Sequence, residues 1–192
     1  MARMNIQDSP RRSRVHPQKF ALYLAFGSII MMFTALTSAF MVKQAQGDWL
    51  EFAMPSIFFY STAVLLLSSI TLHLSYNAFK KENKIYKVLL AISFILGIGF
   101  IVLQYKGWYL LFDQGVDMKR NVAGSFFYLI TGVHAVHILG GLTAMFVTLL
   151  SALALKFKAT EKRILRYSLV VNYWHFVDVL WIYLFGFLLL YR

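Results

Sequence analysis

Apolar positions along this chain neither alternate nor keep to a single helical face; they fill whole blocks. Five stretches, residues 20–42, 52–77, 88–105, 122–155 and 167–191, run uncharged or nearly so. Each reaches the ~18–20 residues that an α-helix needs to cross a hydrocarbon layer of ~30 Å. A barrel strand would alternate polar and apolar positions, and none of the blocks does. The pattern therefore predicts an all-α, polytopic membrane protein. Its expected layout is one five-helix transmembrane domain over residues 19–192, preceded by a basic segment, residues 1–18, that is disordered or lies on the membrane surface. The fourth block is longer than a crossing requires, which predicts a tilted helix or one that runs past the bilayer. Pro55 stands where the second helix should begin, a position that tolerates a missing N–H. The first block exceeds the roughly 7–15 apolar residues of a signal peptide and is expected to be retained.

Charge adds orientation. Basic residues gather before the first block (Arg3, Arg11, Arg12, Arg14, Lys19), after the second (Lys80, Lys81, Lys84, Lys87) and after the fourth (Lys156, Lys158, Lys162, Arg163, Arg166). The other side holds only Lys43, Lys106, Lys119, Arg120 and Arg192, with Asp48, Glu51, Asp113 and Asp117 among them. The positive-inside rule then predicts a multi-pass protein with a cytoplasmic (or organelle-matrix) N-terminus and an external C-terminus. The formal charge of +11 is thereby explained by short juxtamembrane segments, and no nucleic-acid partner is expected. The chain has no cysteine, which excludes disulfides, thiolate metal sites and cysteine nucleophiles.

Inside the blocks, polar residues are few. Asp178 is the one charged side chain deep in a span, and a carboxylate there costs about 2.5–3.5 kcal/mol on insertion scales. His134 and His137 share one face of the fourth helix, and His175 and Asp178 share one face of the fifth. The two helices are joined by a short connection and are expected to lie antiparallel, so that an imidazole of the fourth helix can donate to the Asp178 carboxylate, with His175, a turn away, as another candidate donor. Three readings of this intramembrane cluster stand side by side: a hydrogen-bonded clasp between helices, a proton relay, and a metal site. The first leaves the chain without a metal; the last two make it a small proton or ion transporter, or a metal-dependent membrane oxidase. His73, Arg163 and Arg166 are candidates for contact with lipid headgroups. Trp174, Trp181, Gly132, Gly140 and Gly141 are expected to serve packing, and Ser68, Ser69, Gly97 and Gly99 to supply small surfaces for close helix approach. No phosphate loop, nucleophile triad or pair of catalytic carboxylates is present, so no catalytic residue is assigned.

These residues carry a resemblance. Tyr173-Trp174-His175-Phe176-Val177-Asp178-Val179-Leu180-Trp181 is similar to the C-terminal signature of subunit III of haem–copper respiratory oxidases. The run from Ser125 to Leu142, with Thr131-Gly132-Val133-His134-Ala135-Val136-His137, resembles a second signature. Leu65 to His73, with its paired serines, resembles a third, and Leu96 to Gln104 and Lys19 to Phe40 match more loosely. The likeness runs from Lys19 to the end of the chain and is closest to the five-helix bacterial form, which lacks the first two of seven helices. It implies an accessory, non-redox subunit beside catalytic subunit I and other subunits of a terminal oxidase complex or a respiratory supercomplex. Haem and copper would then sit on partner subunits, with phospholipid bound to this one. The larger members hold that lipid in a cleft beside their first two helices. The chain departs from many members at Ile29, where they carry a buried glutamate, and at Gly107, where they carry an acid. The role in proton or oxygen access attached to that glutamate is not carried over.

Overall fold

The computed structural model describes residues 16–47, 49, 52–118, 121–154 and 160–191. Most of the basic N-terminal segment, with Asp48, Glu51, Lys119, Arg120, Lys156, Lys158 and Arg192, lies outside the described residues. Five helices follow in order: α1 Pro17–Gln44, α2 Ile57–Lys80, α3 Tyr86–Asp113, α4 Val122–Ala154 and α5 Glu161–Leu190. All five are long and apolar enough to cross a membrane.

Several boundaries differ from the expected ones for local reasons. Pro17 opens α1, so the helix begins inside the segment expected to be unstructured. Pro55 sits ahead of α2, and its carbonyl accepts the Phe58 N–H at 3.2 Å. The third helix extends well past 105. Lys106 is exposed while Gly107 and Leu111 stay buried, so the charge that ends the apolar block lies on the outer face without interrupting the helix. Gly115 ends it, with φ +84°, as the Val116 N–H turns back to the Leu111 carbonyl at 3.0 Å. That left-handed step is cheap for glycine. The fifth helix starts at Glu161 and gains polar turns that apolarity alone did not reveal.

Helices α2 and α3 form a close antiparallel hairpin, α3 leans on α4, and α5 packs against α1, α2 and α4. Helix α5 is the most buried of the five; α1, which among the described residues packs on α4 and α5, is the least. Large apolar side chains such as Met31, Ile95 and Val136 are exposed on the outer faces, where lipid replaces the water that would otherwise penalise them.

Glycines set the tightest approaches. Trp174, fully buried, slots between α3 and α4. A Cβ at Gly97 would come within 2.7 Å of the Leu142 side chain and 3.0 Å of the Trp174 ring, and one at Gly141 within 2.8 Å of that ring. A Cβ at Gly107 would meet the Phe58 ring at 2.6 Å, so this position has no room for a side chain. Gly140 faces the Tyr173 hydroxyl. Gly132, expected to serve packing, has no neighbour within 4 Å of where its Cβ would be.

Candidate functional site

Two heptad-spaced stripes of α2 organise the polar interior. Ser61, Ser68 and Ser75 face α3. Gln104 Nε2 donates to Ser61 Oγ at 3.4 Å, Ser68 to the Ser93 carbonyl at 2.8 Å, and Ser75 to the Tyr86 carbonyl at 2.6 Å. Thr62 and Ser69 face α5. Trp181 Nε1–H donates to Thr62 Oγ1 at 2.9 Å, and Ser69 Oγ lies 2.6 Å from His175 Nδ1. Ser75 also meets the Tyr167 hydroxyl at 2.6 Å. These contacts make the α2–α5 boundary an antiparallel polar seam, in a layer where no water competes for its hydrogen bonds.

Ser69 stands midway along α2, and its hydroxyl faces the Asp178 carboxyl as well as His175. A hydroxyl has one proton to give. If Ser69 gives it to the carboxylate, it accepts from Nδ1–H of His175 and leaves His175 Nε2 as an acceptor. The hydroxyl lies between imidazole and carboxyl, whereas a nucleophile triad needs the imidazole between the other two. Asp178 Oδ1 is buried and has no hydrogen-bond partner.

The bond expected from a helix-four imidazole to Asp178 is absent among the described residues, and this corrects the sequence reading. His134 is buried, with its ring stacked on Trp181 at a centroid distance of 5.0 Å. Phe33 and Phe100 meet it edge-on, and neither ring nitrogen has a partner. His137 Nδ1 bonds to the Val133 carbonyl of its own helix at 2.8 Å, and its backbone carbonyl accepts the Tyr173 hydroxyl. The reason lies in how α5 is turned. The α5 face shared by Trp174, Asp178 and Trp181 borders α2 as well as α3 and α4, and on that border Trp181 meets Thr62 and His175 meets Ser69, while the His134 ring is taken up by Trp181. His73, exposed, stacks obliquely on His175 with centroids 5.6 Å apart. No three His, Asp or Glu residues among those described converge in a set that could hold a metal ion. Each span is one unbroken helix, unlike the interrupted helices typical of transporter sites.

The remaining feature is a cavity of about 560 Å³ between the C-terminal half of α4 and the first turns of α5. Gly140, Ala144 and Val147 line one side, Val170 the other, and Arg163 and Arg166 stand at its α5 end. A lining that is apolar along its walls and basic at one end is chemically complementary to an amphiphile with an anionic head.

Sequence reasoning missed Thr62, Ser75 and Tyr167, and took Ser69 only as a small packing residue. The heptad recurrence of hydroxyls along α2 was the available signal.

Comparison with known proteins is consistent across residues. The family model described as cytochrome c oxidase subunit III matches residues 19–192. The chain is 31% identical over 191 residues to a probable cytochrome c oxidase subunit 3 of Nocardia farcinica, covering 90% of each chain. It is 32% identical over 191 residues to the Mycobacterium tuberculosis protein of the same description, again covering 90% of each. Cytochrome c oxidase subunit 3 of Rattus norvegicus is 32% identical over 126 residues, which are 65% of this chain and 46% of that one.

Proposed function

The chain belongs to the cytochrome c oxidase subunit III family, and from that premise we propose that it is an accessory, non-redox subunit whose work is mechanical and lipidic. As a family member it is a multi-pass membrane protein and a subunit of a haem–copper oxidase, active only within that complex and alongside its other subunits. In our reading the haem and copper are carried by partners, catalytic subunit I among them. This chain stabilises that subunit, seats an anionic phospholipid, and supports proton uptake by keeping the partner's cytoplasmic surface packed and sealed. The N-terminus faces the cytoplasm of a bacterial inner membrane, because the basic segments then lie inside.

The observation that supports this reading best is the use to which the buried polar groups are put. Ser69 and His175, Ser75 and Tyr167, and Thr62 and Trp181 bond in pairs across α2 and α5, a pattern that holds helices together. The lipid part rests on the cavity that ends at Arg163 and Arg166.

The test is isolation of the complex in mild detergent. A haem absorption spectrum should accompany this chain at fixed stoichiometry, and anionic phospholipid should be found by mass spectrometry. An Arg163→Gln, Arg166→Gln double variant should lose that lipid and keep the haem partner. A chain that purifies without haem, or a double variant with unchanged lipid, would overturn the corresponding part.

A further inference from the structure

The most buried helix has one bare face. Helices α1 and α2 both pack on α5 but do not meet each other among the described residues, so a groove runs between them with α5 as its floor. Along that floor Asn172, His175, Val179, Ile182 and Gly186 recur at alternating steps of three and four, the spacing of a seam that receives another helix. Val179 is 66% exposed and Ile182 47%. A Cβ at Gly186 would have nothing within 4 Å. Small residues on such a floor let a second backbone approach closely.

Polarity separates this groove from an ordinary lipid-facing surface. Elsewhere, exposed hydroxyls bond back to their own helix: Ser28 to the Leu24 carbonyl, Thr34 to Ile30, Thr143 to Leu139 and Ser151 to Val147. Hydroxyls satisfied in this way can face hydrocarbon at little cost. An amide and an imidazole each have two hydrogen-bonding edges, and a bond back to the helix, such as His137 Nδ1 makes to the Val133 carbonyl, satisfies only one of them. Yet Asn172 and His175 are only half-buried on the groove floor, and His73 is exposed beside them. His73 lies seven residues inside the end of α2, about 10 Å along the axis. Polar groups at that depth almost always face protein or a water-filled cavity.

We propose that the groove between α1 and α2 receives a transmembrane helix of another subunit of the oxidase. That helix is apolar against Val179, Ile182 and Gly186. It carries a hydrogen-bonding side chain level with His73, Asn172 and His175. The inference rests on membership in the oxidase complex and adds which face of this chain the complex covers.

The test uses the native complex with a photoreactive phenylalanine analogue in place of Val179. Irradiation should yield an adduct with another subunit's transmembrane peptide, identified by mass spectrometry. Adducts with lipid alone, with this chain itself, or with a second copy of it would overturn the proposal. Gly186→Leu starts from a Cβ that meets nothing within 4 Å, so it should leave membrane levels of the chain unchanged while lowering co-purified haem partner at least tenfold. Full retention of the partner would also overturn it. Wild-type chain that brings down no haem protein fails the functional reading itself. Wild type with its partner bound, but only lipid adducts at position 179, fails this inference alone.

Discussion

The Oγ of Ser69 stands 2.6 Å from Nδ1 of His175, and through this contact the middle of α2 is tied to the one helix that carries a buried carboxyl. Ser69→Ala removes the hydroxyl that meets His175. The expected loss is about 1–2 kcal/mol, the range for a buried hydrogen bond whose partner is left unsatisfied. Thermal unfolding in detergent reads this, with Ser28→Ala as comparison: its hydroxyl bonds only to its own helix and should leave the midpoint unchanged. Equal shifts for the two variants would remove the seam as a source of stability.

Two glycines should respond in opposite senses. Gly107→Ala puts a methyl group 2.6 Å from the Phe58 ring and should destabilise by about 1–3 kcal/mol, the usual cost of overpacking. Gly132→Ala meets open space and should be neutral or stabilising by up to about 1 kcal/mol, from helix propensity alone. The thermal midpoints of the two variants should therefore fall on opposite sides of wild type, or the second should coincide with it.

Replacing His134 should cost little. Its nitrogens have no partners and its neighbours are Trp181, Phe33 and Phe100. A buried polar group without a hydrogen bond is a burden that a similar-sized apolar side chain relieves. His134→Leu is expected to hold or raise the unfolding midpoint, whereas His175→Leu, which strands Ser69, lowers it. A large loss of stability in His134→Leu would show that this imidazole does pair.

The blocks of apolar residues made five crossings legible, because length and absence of charge are all that a membrane demands of a helix. The ends were less so: Lys106 reads as a terminus in one dimension but is merely exposed on a helix that continues to Asp113. The site was half legible. Asp178 and His175 stand out as expensive residues in an oily run, and Trp174 as a packing residue between Gly97 and Gly141. Their partners were assigned to the wrong helix, since imidazoles are more conspicuous in a sequence than hydroxyls. Adjacency in the chain also favoured α4, while the α5 face shared by Trp174, Asp178 and Trp181 borders α2 too, where Thr62 and Ser69 lie. The heptad repeat Ser61, Ser68, Ser75 with Thr62 and Ser69 was the clue, and it is visible only when serines are read as bonding groups.

Asp178 separates a structural carboxyl from a working one. Asparagine keeps the shape and a carbonyl for the Ser69 hydroxyl but cannot carry a proton; alanine keeps neither. If the group serves assembly, Asp178→Asn should retain near-normal subunit content and oxygen consumption. Asp178→Ala should lower the content of this chain in the complex, with turnover per haem in the remaining intact complex little changed. Haem spectra, subunit stoichiometry and oxygen uptake on the same preparations supply the comparison. Normal content with collapsed oxygen reduction in both variants would instead make the carboxyl a proton carrier, because only that role requires the group to ionise.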